Sequence, residues 1–101
     1  MDTRWDELVE VVAGGEVTAG QMFGSPGLRT GQRYFALYWH DKLVLKLPPD
    51  RIAELRGDGE VEPFEPMPGR PMGGWVLVED DADWAGLAEE AHEFVAVAGR
   101  D

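Results

Sequence analysis

The sequence predicts an α+β fold of two layers: an antiparallel five-stranded sheet with helices on one face, in the order α-β-β-β-α-β-β-α. Three observations carry this. Residues 33–47, RYFALYWHDKLVLKL, form the most β-prone run in the chain, with aromatic and branched residues on both sides of the polar break His40-Asp41-Lys42. Strands separated by so short a break pair with each other as a hairpin. Residues 84–98 carry Trp84, Leu87, Ala88, Ala91, Phe94, Val95 and Ala98 on one helical stripe. Between these, glycine and proline clusters cut the chain into short elements, and short connections favour antiparallel strands with helices gathered on one face.

Each element has its own signals. Over residues 4–13, Trp5, Leu8, Val9 and Val12 follow helical spacing; Asp2 or Thr3 supplies a cap and Gly14-Gly15 a stop. Residues 17–23 read as the first strand and GSPGLRTG, residues 24–31, as a turn-rich connector. The hairpin follows, and Pro48-Pro49 ends it. Pro49 is also suited to open a short helix over residues 50–56, closed by Gly57 and Gly59. Residues 61–67 are extended, and Pro63 and Pro66, which lack donors, confine them to a sheet edge. GRPMGG leads into the last strand, residues 75–79. Asp81 or Asp83 then caps the final helix, which Gly99 ends.

The hairpin admits two registers. A two-residue loop, His40-Asp41, sets Trp39 against Lys42 and asks both loop residues for positive φ, which His and Asp tolerate better than most. One face then carries Tyr34, Ala36, Tyr38, Leu43, Leu45 and Leu47, and the other Phe35, Leu37, Trp39 and Val44 beside Lys42 and Lys46. A three-residue loop sends Phe35, Leu37 and Trp39 to the leucine face instead, because the side-chain period is two. The shorter loop is favoured.

At 101 residues with 44% hydrophobic residues, the chain is expected to form one domain, residues 1–101, with one core. No apolar run approaches the ~20 residues that span a bilayer, and MDTRWDELVE is too acidic for a secretory signal. Absence of cysteine excludes disulfides, thiolate nucleophiles and Cys-type zinc sites. A cytoplasmic protein with no membrane contact is expected. The net charge of −11 argues against duplex nucleic acid as a partner. The charge is uneven: residues 22–47 hold four basic residues against one acidic, and the rest of the chain five against nineteen.

Each motif with a potential for chemistry has a plainer structural role. The 24–31 loop has glycines and Arg29, with Arg33 just beyond it, but lacks P-loop or dinucleotide spacing and leads into a strand. Ser25, the single serine, has no G-x-S-x-G elbow. The acidic run at residues 79–83 lacks the alternation of an EF-hand and suits a helix N-terminus better. Trp5 and Trp84 lie on core stripes and Trp75 in a buried strand, which disfavours a base-stacking groove. No catalytic residue, metal site or cofactor is expected.

Met22-Phe23-Gly24, a glycine-containing loop, Phe35-Ala36-Leu37, two polar turn positions and Leu43-Val44-Leu45-Lys46-Leu47 resemble the N-terminal domain of the TfoX/Sxy competence-regulator family, whose usual run is MFGGYG…FAL…DG.LYLK. Pro63-Phe64, Met72-Gly73-Gly74-Trp75 and the Trp84-led helix are similar to its second half. The chain departs from that pattern at Gly24-Ser25-Pro26 and at His40-Asp41. The resemblance implies an α-β3-α-β2-α domain and supplies no catalytic residues. The expected role is a non-catalytic interaction or regulatory domain acting through a protein partner or a second copy of itself. On the two-residue register, the face bearing Phe35, Leu37, Trp39 and Val44 would be the interface. The alternative is a small-molecule (anion) binding or enzymatic domain, its pocket between the 24–31 and 69–75 loops gathering Arg29, Lys46, Arg70 and Trp75.

Overall fold

A computed structural model describes residues 3–12, 17–22 and 24–98. Its elements are α1 (Thr3–Val12), β1 (Val17–Met22), β2 (Ser25–Thr30), β3 (Arg33–Trp39), β4 (Lys42–Lys46), α2 (Pro49–Gly57), β5 (Val61–Pro63), β6 (Trp75–Val78) and α3 (Trp84–Ala98). The strands form one antiparallel sheet in the order β1-β2-β3-β4-β6-β5. The α+β class holds, with six strands in place of five. The expected features at Asp2, Ala13, Gly14-Gly15, Phe23 and Gly99, and the side chains of Thr3 and Ala98, lie outside what is described.

The sixth strand is β2, cut from the stretch expected to be a connector. Pro26 and Gly27 made it read as a turn, yet Pro26 pairs only with Gln21 of β1, and the ladder to β3 begins one residue later at Gly27↔Leu37. The missing proline N–H therefore falls outside the β2–β3 ladder. Gly31, at φ +62, turns the chain into β3.

The hairpin takes the two-residue register, with Trp39 opposite Lys42 and Tyr38 opposite Leu43. His40 (φ 47) and Asp41 (φ 66) both adopt the left-handed region that such a turn requires. The Tyr38 hydroxyl donates to Asp41 Oδ1 at 3.1 Å, tying the turn to the strand before it.

Two hydrophobic clusters lie on the sheet. The larger gathers Leu28, Leu43, Leu45, Leu47, Val76 and Val78 against Trp5 and Leu8 of α1, Leu55 of α2, and Leu87, Ala88, Ala91 and Val95 of α3. Helix α3 is the main cover. Its N-terminus is capped by Asp83, whose Oδ1 accepts the Gly86 N–H at 3.1 Å. Phe94 only packs against this cluster from a half-buried position, so it contributes less to the core than its place in the stripe predicts. Edge strand β5 carries Pro63, as expected.

The smaller cluster corrects the expectation of an open sheet face. Leu37, Val44, Phe64 and Trp75 are buried together, with Trp39 and Met72 packed against them. The segment between β5 and β6 folds back over this face. The N–H of Phe64 donates to the Trp75 carbonyl and the N–H of Met72 to the Phe64 carbonyl, at 3.3 and 2.9 Å. Phe64 meets Trp39 edge-on, with ring centroids 5.4 Å apart. Leu37 and Val44, at 0% exposure, thus present nothing to a partner.

Phe35 is not on that face at all. The β2–β3 register passes from Leu28↔Ala36 to Arg29↔Tyr34, leaving Phe35 as the extra residue of a β-bulge. The bulge breaks the alternation and sends Phe35 into the larger cluster with Ala36, its ring 5.2 Å from that of His92. Of the four residues proposed for an interface, Trp39 alone is partly exposed.

Candidate functional site: a cationic cleft where the two clusters meet

Tyr34 begins the site. Gly20 and Gly27 face each other across β1 and β2, and the Tyr34 ring lies over both. A Cβ on Gly27 would come within 3.1 Å of Tyr34 Cδ2, so the pair of glycines forms a floor that only residues without side chains can make. The Tyr34 hydroxyl donates to the Gln21 carbonyl at 3.0 Å, fixing the ring across three strands.

Beside Tyr34 is a cavity of about 370 Å³. Met22 from β1, Tyr34, Met72 and Trp75 bring it the smaller hydrophobic cluster, and Phe94 and Val95 from α3 bring it the larger. Its charged residues are Arg33 from the start of β3 and Lys46 from the end of β4. Lys46 is the cross-strand partner of Trp75. Its stem passes Gly74, where a Cβ would lie 3.9 Å from Lys46 Cε. Gly74 holds φ +84 and accepts the Leu47 N–H at 3.1 Å, so the turn before β6 is locked against the end of β4.

Two of the other cations are neutralised by carboxylates. Lys42 is paired with Asp80 at 3.2 Å, and Arg51 with Glu90 at 2.8 Å and Glu54 at 3.3 Å. The Glu90 hydrogen bond, with Glu54 adding to it, raises the Arg51 pKa further above the ordinary arginine value. Among the described residues no carboxylate pairs with Arg33 or Lys46. In a chain of net charge −11, two unneutralised cations at one cavity are a local inversion of the field.

The structure brings together two of the four residues expected at a pocket. Lys46 and Trp75 come together, whereas Arg29 and Arg70 are not among the residues lining the cavity. Arg29 Nε donates to the Thr18 hydroxyl at 3.1 Å, and Arg70 is exposed in the turn closed by the Met67↔Arg70 bridge. Arg33 takes their place. It belongs to the one basic stretch of the sequence, but its neighbourhood depends on the bulge two residues on, which leaves no composition signal.

The remaining candidates separate. Asp80 pairs with Lys42 and Asp83 caps α3, and among the described residues no cluster of three acidic or histidine side chains could hold a metal ion. His40 sits at an exposed hairpin tip and His92 packs on Phe35. No helix among the described residues is long and apolar enough to cross a membrane.

Comparison with known proteins adds one result. The TfoX N-terminal domain model matches residues 8–95. A search of curated proteins finds no match. The residues that line the cleft include Met22, Lys46, Met72 and Trp75, all within the motifs on which the sequence resemblance rests. The matched span covers nearly the whole fold, from the middle of α1 to the last turns of α3, and on it the chain belongs to the TfoX N-terminal domain family.

Proposed function

We propose that this is a non-catalytic, cytoplasmic binding domain that recognises an anionic small molecule in the Arg33–Lys46 cleft and acts by occupancy, without turnover. One observation carries the reading. Family-motif residues from Met22 to Trp75 line a single cavity whose cations have no carboxylate partner among the described residues. Two cations without a carboxylate at hand, converging on one cavity over an apolar floor, suit an incoming anion. The test is a thermal-shift panel of organic and inorganic anions. A ligand at a hundred times its dissociation constant adds about 2.7 kcal/mol to stability, well within reach of a melting curve. At least one class is expected to raise the melting temperature of the unmodified chain and to lose that effect in Lys46→Glu. No response, or an equal response in Lys46→Glu, overturns the reading.

A second reading, contact with a protein partner, is favoured by a different observation. Val11 and Val97 are more than half exposed, and both line a groove of about 530 Å³ between α1 and α3 that also holds Glu89 and Glu93. A groove with two exposed valines and acidic residues along it fits a basic amphipathic helix, while a second copy would bring acid against acid. A lysine-rich amphipathic peptide should bind, weaken with salt and be lost in Val97→Glu. Dimers in sedimentation that disappear in the same variant would assign the groove to a second copy instead.

A further inference from the structure

The inventory of hydrogen-bonding groups in the cleft restricts the ligand beyond its charge; this step rests on the anion-binding reading above. The lining offers donors and almost no acceptors. Arg33 and Lys46 carry donors only. The Tyr34 hydroxyl hydrogen is already given to the Gln21 carbonyl. The main chain beside the cavity is used internally: the Trp75 N–H donates to the Met72 carbonyl at 3.2 Å, and the Trp75 carbonyl accepts from Phe64. Among the described residues no carboxylate or amide side chain lines the cavity.

A polyol, an amine or a nucleobase brings donors of its own, and here those would be desolvated without acceptors to meet them, at about 1–3 kcal/mol each. A head group that only accepts is matched completely. Two cations suffice for one such head, and the rest of the surface, two thioethers, the three aromatic rings of Tyr34, Trp75 and Phe94, and Val95, can be satisfied only by an apolar body. Met22 and Met72 are flexible and polarizable, so the floor adapts to a family of bodies more readily than it selects one.

We propose that the cleft takes a single-headed anionic amphiphile, an acceptor-only head on an aromatic or short acyl body, with Arg33 and Lys46 holding the head and the methionine–aromatic floor holding the body. The head is a carboxylate or a phosphate monoester, which share this chemistry.

Calorimetric titration of the full chain tests it with five probes: 2-naphthoate, 2-naphthyl phosphate, 2-naphthalenemethanol, acetate and inorganic phosphate. The naphthyl anions should bind at least roughly tenfold tighter than the neutral alcohol and than either small anion. Whichever naphthyl anion binds tighter identifies the head. Arg33→Gln and Lys46→Gln should each weaken that binding by roughly tenfold while leaving the circular dichroism spectrum unchanged. If acetate or inorganic phosphate binds as tightly as the naphthyl anions, the cleft still receives anions and the amphiphile inference alone is overturned. If the alcohol binds as tightly, or if no probe binds, the anion-binding reading falls with it.

Discussion

The hydroxyl of Tyr34 occupies the space in which a side chain on Gly20 would begin. A Cβ on Gly20 would lie 3.1 Å from Tyr34 Cζ and nearer still to the hydroxyl oxygen, which donates to the Gln21 carbonyl one residue along. The edge strand β1 is therefore held by the phenol of a residue two strands away, and the same ring forms a wall of the cleft.

This relationship predicts non-additive stability. Gly20→Ala forces the ring off its floor and should cost about 1–3 kcal/mol as an overpacking change. Tyr34→Phe removes one hydrogen bond, worth about 0.5–1.5 kcal/mol. In the double variant the phenylalanine ring ends where the clash was worst, so the combined loss should fall short of the sum by at least about 0.5 kcal/mol. Urea denaturation of the four proteins measures this coupling, and strict additivity would show that the two residues do not share the space.

The covered sheet face yields a second prediction. Leu37→Glu should unfold the domain, even though Leu37 points away from the three helices. Leu37 has 0% exposure beneath the 64–74 segment, and a glutamate there would bury a charge beside Val44, Phe64 and Trp75. Phe64→Ala, which uncovers the same cluster, should cost about 3–5 kcal/mol. Far-ultraviolet circular dichroism separates the cases: a folded Leu37→Glu monomer would mean that the segment lifts freely from the sheet.

How much of this was legible in the sequence depends on the range of the interaction. The hairpin register followed from local φ preferences at His40 and Asp41, the α3 cap, as Asp81 or Asp83, from the acidic run before the helix, and the edge position of β5 from its prolines; all are determined within a few residues. The bulge at Phe35 was not legible, because it exists only in the pairing of β3 with β2 and leaves no mark in the alternation of β3 itself. Nor was β2, since Pro26 and Gly27 have turn propensities that the sheet overrides. The cover over Leu37 and Val44 escaped for a third reason: residues 64–74 have the composition of a loop, and a loop that closes a face cannot be told from one that points into solvent. The cleft inherits all three. Lys46 and Trp75 were expected at one pocket without the strand pairing that joins them, whereas Arg33 reaches the cleft from beside the bulge.

A last prediction concerns what fastens α1. Arg4 reaches from that helix to the turn before α3, 76 to 78 residues on, donating to the carbonyls of Asp80 and Ala82, the latter at 2.9 Å. Its guanidinium carbon lies 3.8 Å from the centroid of the Trp84 ring, whose own Nε1 donates to the Glu79 carbonyl at 3.0 Å. The turn thus gives up three carbonyls to two side chains that stack on each other. Planar, forked donors over an aromatic face are a geometry that arginine supplies and lysine does not. Arg4→Ala should cost about 1–2 kcal/mol, toward the low end for charged donors because one of the bonds is exposed to solvent. Arg4→Met keeps apolar contact with Trp84 without donors, and Arg4→Lys keeps charge without the fork; each should recover less than half of the loss. Amide exchange supplies the localising readout. Protection in α1 should fall in Arg4→Ala while that of β3 and β4 changes only by the global amount, because the tether joins α1 to the turn and not to the sheet. If Arg4→Met matches the unmodified protein in both stability and exchange, packing on Trp84 fastens the helix and the carbonyl bonds contribute nothing measurable.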